Sequence, residues 1–474
     1  MIGNLRYAFP ELQPVNRPPK RPAISPARRA AFDILRRVTS EGAYAAPLVA
    51  ALTETELSRE DRALAQELTL GVLRWQGALD YFIERYAGRP LRKLDVAVLI
   101  ALRLGLYQLR FLSRIPASAA VNESVNLVKR ARATSAAPMV NAVLRRAARE
   151  SNEAAGQSLS DPRERLAVEV SHPRWLLTRW IAAFGEAEAR ELAMANNQPP
   201  PVAFRINTLR ASTDEVVARL EREGLRLRKS AVAPGAFVVE DGAMAALARA
   251  AERGEAYIQD EASQLVSLLL APASGERILD LCAAPGSKSS HIAALAGASG
   301  WVVACDIHPH RLATLAATCK RLGIESVAPV ALDATRNLPL LESAPPFDRV
   351  LIDAPCSGTG TLRRNPEIKW RLAPEDIPRL ADVQLSLLGR ATETLKPGGR
   401  LVYSTCSVER EENEAVVHRF LESGAPFRLV APDAPADFIT TEGFVRTFPH
   451  RGGADGFFAA VMERINDDEP SDPR

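Results

Sequence analysis

The chain has 474 residues, 25% charged and 47% hydrophobic, which suits two or three folded domains and excludes wholesale disorder. It contains no run of about 18 apolar residues and no apolar signal core at the N-terminus. Its five cysteines lack any CxxC pair, which excludes a disulfide scaffold. A reducing cytoplasm, away from any membrane, is the expected location. Net charge is only +3, yet residues 1–150 carry 24 Lys/Arg against 13 Asp/Glu. A basic first third on a mildly acidic remainder suggests a polyanion-binding module joined to something else.

In chain order, residues 1–24 are rich in Pro and polar groups and are expected to form a disordered tail. From 25 to 150 the pattern is helical, with Ala, Leu and Arg dominant. Ser25 followed by Pro26 reads as an N-cap with proline at the first helical position. Further helices are expected over Arg59–Arg85, Val96–Phe111, Ser118–Ala133 and Met139–Glu150. Residues 151–165 read as a linker. Residues 166–257 read as a small α+β segment: strands at Ala203–Asn207 and Ala236–Glu240 flank a helix closed by Gly224. Ser212 and Glu215 form a capping-box pattern at the start of that helix. Residues 258–464 alternate short apolar runs with helical stretches, which implies βαβ units and a parallel, doubly wound sheet. The expected strands are Arg277–Leu281, Trp301–Cys305, Val327–Ala331, Arg349–Ile352 and Arg400–Tyr403, with Gly456–Met462 as an antiparallel edge strand. Residues 465–474 are a polar tail.

Three motifs carry chemistry. In Ile278–Lys288 a strand runs into a loop of small residues before a helix, the usual place for a nucleotide-like ligand at the carboxyl edge of such a sheet. The loop lacks both GxGxxG and the P-loop pattern. The next strands end near Asp306, which can accept ribose hydroxyls, and Asp333. One such acid is often only a helix cap; Asp280, Asp306 and Asp333, three in register with strand ends, are harder to dismiss. The second and third motifs are Asp353–Gly360 and Ser404–Ser407, each placing a cysteine, Cys356 or Cys406, just past a strand. A cysteine near helix starts or backbone N–H groups can become a thiolate and add to an electron-poor ring carbon. Cys305 and Cys319 read as structural, Cys282 as part of the first loop's wall. No His/Cys cluster has zinc spacing, so no metal is expected.

The last domain resembles the RsmB/NOP family of S-adenosylmethionine-dependent RNA cytosine-5 methyltransferases. The carriers are LDLCAAPGSK (279–288), DAPCSGTG (353–360) with RRNPEIKWR (363–371), YSTCS (403–407) with Glu412-Asn413-Glu414, and DGFFAA (455–460). RIPASAAVNESV (114–125) and VNAVLRR (140–146) resemble the NusB-like RNA-binding domain of the bacterial 16S rRNA branch. SHPRWLL (171–177) and PPPVAFRINTLR (199–210) resemble its intervening RNA-contacting segment. The implied architecture is an all-α NusB-like domain, a small α+β segment and a C-terminal α/β Rossmann-like class I methyltransferase. One departure is Ser287, where the family commonly has Gly; if that position needs a positive φ, serine carries a cost.

The resemblance implies methyl transfer from S-adenosylmethionine to C5 of a cytosine in 16S rRNA, position 967 in conventional numbering, in naked or partly assembled RNA; the protein is expected to be a monomer. Cys406 would be the nucleophile at C6, and Cys356 would assist product release. Cys282, Ala283, Ala284, Pro285, Gly286, Ser287 and Lys288 would cradle the cofactor's methionine end. Asp306 would hold the ribose, Asp333 would lie by the adenine, and Asp353 would border both cofactor and target base. Two alternatives differ in chemistry. An amino-group methyltransferase on the same fold usually has an aromatic residue in the loop where this chain has Asp353-Ala-Pro-Cys356. A non-enzymatic ribosome-assembly factor would not need Asp306, Cys356 and Cys406 intact.

Overall fold

The computed structural model describes residues 24–150, 154–336, 338 and 346–466. Most of both expected tails and the start of the expected linker lie outside the described residues. The chain divides into two units: one holds 1–72 and 82–153, the other 73–81 and 154–474.

The first unit is helical: α1 Pro26–Ser40, α2 Ala45–Ala50, α3 Arg59–Arg74, α4 Gln76–Ala87, α5 Val96–Phe111, α6 Ala117–Arg130 and α7 Ala137–Arg149, with the end of α3 and the start of α4 belonging to the second unit. α5 spans the expected residues because Asp95 accepts a hydrogen bond from the Ala97 N–H at its start (2.8 Å) and the following residues are nearly all apolar. The single helix expected over Arg59–Arg85 is instead α3 and α4, broken at Trp75. Pro26 does open α1, but Ser25 makes no side-chain capping bond; its Oγ accepts from Arg28 NH1 instead (2.9 Å). Among the described residues no helix is long and apolar enough to cross a membrane.

The second unit opens with α8 Pro162–Glu169, α9 Arg174–Phe184 and α10 Glu186–Asn196. A four-stranded antiparallel sheet follows, in the order β2-β3-β1-β4, built from β1 Val202–Ile206, β2 Arg226–Lys229, β3 Ala236–Asp241 and β4 Ala256–Ile258, with α11 Thr213–Arg222 and α12 Ala245–Glu252. Ser212 precedes α11 as expected, but its side chain caps nothing.

The larger sheet has eight strands: β5 Arg277–Asp280, β6 Trp301–Asp306, β7 Val327–Ala331, β8 Phe347–Asp353, β9 Leu395–Thr405, β10 Phe427–Leu429, β11 Val445–Thr447 and β12 Phe457–Arg464. Its helices are α13 Glu261–Leu269, α14 Ser287–Ala296, α15 Pro309–Leu322, α16 Ile368–Arg371, α17 Asp376–Thr394 and α18 Glu414–Glu422. The order is β10-β12-β9-β8-β5-β6-β7, with β11 beside β12; β5 to β9 are mutually parallel and β12 is antiparallel to β9. β12 is not the edge strand that its run suggested. β10 and β11 both pair with it on the side away from β9, which explains why Phe458–Met462 is wholly buried.

The parallel strands are apolar on both faces because helices cover both. Successive residues alternate between two cores: Ile278, Val302, Leu351 and Val402 enter one, and Leu279, Val303, Val350 and Leu401 the other. The chain runs outward from β5 through β6 to β7, then returns to place β8 on the other side of β5. That reversal leaves a crevice beyond the carboxyl ends of β5 and β8.

Candidate active site

A cavity of about 370 Å³ fills this crevice. Its wall holds Asp306, Asp333 and Asp353, the thiols Cys282, Cys356 and Cys406, and apolar side chains including Ile307, Leu332, Val383 and Leu387. The carboxyl ends of β5, β6, β7, β8 and β9, with the loops after them, supply these residues, except Val383 and Leu387, which α17 provides.

The first loop leaves β5 at Asp280. Cys282 and Ala284 face the cavity, whereas Ala283, Pro285, Gly286, Ser287 and Lys288 do not line it. Gly286 has φ 100°, and a Cβ there would lie 2.7 Å from Leu315 Cγ, so glycine is required on both conformational and steric grounds. Ser287 begins α14 without a positive φ; the strain anticipated for a serine there does not arise, because the left-handed residue is its neighbour. Lys288 is buried and donates to Asp353 Oδ2 (2.7 Å). A carboxylate so placed offsets the cost of burying the ammonium.

Asp306 closes β6. It accepts from the His308 N–H (2.8 Å) and the Ala284 N–H (3.3 Å), with Arg311 NH1 3.7 Å away. Asp333 follows β7 and accepts from Thr335 Oγ1 (2.6 Å) and the Thr335 N–H (3.1 Å). These bonds, with Arg336 beside it, hold its pKa below the ordinary aspartate value. Asp353 closes β8 and also accepts from Ser404 Oγ (3.0 Å).

Cys356 and Cys406 lie in the loops after β8 and β9, half-buried. Because those strands are adjacent, the two sulfurs meet at 3.3 Å. The hydrogen bond to Cys406 and burial push the Cys356 thiol well above its ordinary pKa, so Cys356 is held protonated against its neighbour. Cys305 and Cys319 are buried in the cores, their pKa values pushed up by burial to about 12 and about 11. The two site loops are stitched by backbone: the Gly360 N–H donates to Cys406 O (2.9 Å), and the Gly456 N–H to Gly360 O (2.8 Å).

The lining suits S-adenosylmethionine chemically. Carboxylates accept from ribose hydroxyls and sit well near a sulfonium or ammonium charge. Ile307, 57% exposed at the rim, offers an apolar face for a flat base. Among the described residues no group of His, Cys, Asp and Glu has a metal-binding arrangement.

Motif reading singled out the thiols and the strand-end acids. The motifs carry no signal of a role for His308, Arg311, Thr335 or Glu412, and they place Lys288 toward the cofactor, whereas the fold bonds it to Asp353. Spacing in sequence carries no signal for pairs such as Lys288 and Asp353.

A doubly wound sheet with this inserted antiparallel strand, and this cavity at its switch point, defines an α/β methyltransferase that uses S-adenosylmethionine. Residues 267–463 match the 16S rRNA methyltransferase RsmB/F model, 25–149 the NusB family, and 172–245 the RsmF/B-like ferredoxin-like domain. Ribosomal RNA small subunit methyltransferase B of Escherichia coli O7:K1 is 36% identical, over 92% of this chain and 98% of that protein. Its counterpart in Pseudomonas putida is 35% identical, over 86% and 92%. The crystal structure of PH0851 superimposes with a TM-score of 0.80 at 28% identity, covering 93% of this chain and 99% of that one. The chain belongs to the RsmB/F family of 16S rRNA methyltransferases.

Proposed function

We propose that this protein methylates C5 of a cytosine in 16S rRNA, at position 967 in conventional numbering, through a covalent bond between Cys406 and C6 of the base. The observation that carries the reading is the pair of thiols 3.3 Å apart at the wall of the cavity that holds Asp306. Bound S-adenosylmethionine supplies an electrophilic methyl group on its sulfonium.

C5 of cytosine is a poor nucleophile until a group adds at C6. Attack by Cys406 Sγ pushes the C5–C6 electron pair onto the ring, so that C5 can take the methyl. Loss of the C5 proton to a base then restores the double bond as the C–S pair returns to sulfur. Cys356, held as a thiol beside Cys406, donates a proton to the departing sulfur. Asp306 would accept from the ribose, Asp333 would lie by the adenine, and Cys282 and Ala284 would wall the methionine end. Ala283, Pro285, Gly286 and Ser287 shape the turn behind them. Lys288 fixes Asp353 where cofactor and base meet. The target nucleotide must leave any stack to enter.

The test is methyl transfer to 16S rRNA with the methylated atom identified, for the wild type and Cys406→Ala. Loss of turnover with cofactor affinity retained supports the nucleophile. Turnover at the wild-type rate, or methylation at an amino nitrogen, overturns it. Bisulfite sequencing of 16S rRNA from a deletion strain tests the position.

A further inference from the structure

Cys356 and Cys406 are each followed by a serine, and both serines meet one carboxylate. Glu412 is fully buried in the turn Arg410–Glu412 before α18. Its Oε1 accepts from the Ser357 N–H (2.8 Å) and Gln384 Nε2 (3.1 Å). Its Oε2 accepts from Ser407 Oγ (2.6 Å) and Ser357 Oγ. Four donors occupy both oxygens. They come from the Cys356 loop, the Cys406 loop and α17.

The surrounding bonds repeat the pattern. Gln384 Nε2 also donates to Pro355 O (2.9 Å), next to Cys356. Tyr403 OH, from the end of β9, donates to Glu412 O. Asn413 Nδ2 donates to Ser407 O (2.9 Å), and Asn413 Oδ1 accepts from Thr405 Oγ1. Glu412 does not line the cavity, so it reaches neither cofactor nor base.

We infer that Glu412 is a positioning residue that sets the two thiols against each other by binding the residue after each. This rests on the roles proposed for Cys406 and Cys356. The physical reason is reach: addition and release use the same two sulfurs in sequence, and a loop displaced by an ångström spoils both geometries. The function of the carboxylate is its four acceptor positions, not proton transfer. An amide can meet the same four partners, because its oxygen can accept from the Ser357 N–H and Gln384 while its NH2 donates to the serine hydroxyls.

The experiment compares Glu412→Gln and Glu412→Ala in the full chain. It reads kcat, KM for 16S rRNA, and the cofactor dissociation constant by calorimetry. Glu412→Gln should keep kcat within about threefold of wild type, and Glu412→Ala should lose at least about tenfold in kcat, with KM and cofactor affinity unchanged in both. Wild-type kcat in Glu412→Ala overturns the inference. So does a Glu412→Gln protein as inactive as the alanine variant, which would make the charge itself essential. Cofactor affinity falling in step with kcat would reduce Glu412 to general support of the fold. Should Glu412→Ala not fold, Ser407→Ala removes one partner only: a fall in kcat at unchanged cofactor affinity supports the inference, and wild-type kcat overturns it. Turnover by Cys406→Ala would instead sink the covalent reading itself, whatever the Glu412 variants do.

Discussion

The Cys356 thiol faces Cys406 across 3.3 Å and is held protonated, so under the proposed mechanism removing it would leave the nucleophile intact but deprive the departing sulfur of its proton. Cys356→Ala should therefore methylate the base once and remain attached. On a denaturing gel a slow protein–RNA band should appear that needs both Cys406 and S-adenosylmethionine, and Cys356→Ala/Cys406→Ala should lack it. Normal turnover without a band would leave Cys356 as packing alone. Asp280, at the end of β5, supports a pH prediction. Burial drives its pKa up from 3.8 to about 7; the Ser289 hydroxyl opposes this and the charge of Asp353 adds to it. Between those values the folded chain keeps a proton that the unfolded chain has lost. This contribution to stability is complete below pH 3.8 and is lost as pH rises through about 7. Asp280→Asn keeps a partner for Ser289 and removes the titration. Its Tm should vary less than the wild type's between about pH 5 and about pH 7.5, and parallel curves by calorimetry would refute the assignment.

At the scale of elements, the site is a property of neighbouring strand ends. β8 and β9 are adjacent and parallel, which makes the loops after them neighbours and brings residues 356 and 406 together. Gly360 shows how little slack remains between those loops. A Cβ there would sit 1.9 Å from Gly456 O and 2.9 Å from Cys406 O, so Gly360→Ala must push the loops apart. It should cost about 1–3 kcal/mol of stability, as overpacking does, and a larger share of kcat. Thermal denaturation and a turnover assay measure the two losses; retention of both would show that the loops have room to move.

At the scale of the molecule, the basic first unit is expected to bind the RNA phosphates while the cofactor cavity lies wholly within the second. Arg114, Lys129 and Arg132 are exposed cations of the first unit. Reversing all three to Glu in the full chain should raise KM for 16S rRNA and flatten its dependence on salt, since fewer counterions are released on binding. KM for S-adenosylmethionine should not change. Equal RNA constants for variant and wild type would leave these charges as solvated surface.

The amino-acid sequence by itself determined the helical first unit, the alternation of buried strands and helices in the last, and the acids and thiols at strand ends. These are local signals: helical spacing, short apolar runs, small-residue turns and residue types with few bland uses. It misread what depends on neighbours. The break at Trp75 and the uncapped Ser212 are departures that the local pattern does not carry. β12 reads as an edge from its own residues, and only the return of β10 and β11 buries it. Lys288 on Asp353, and Glu412 beneath both cysteine loops, join residues 65 and 55 positions apart. The strand order decides such pairs, because only the folded sheet makes the ends of β5, β8 and β9 neighbours.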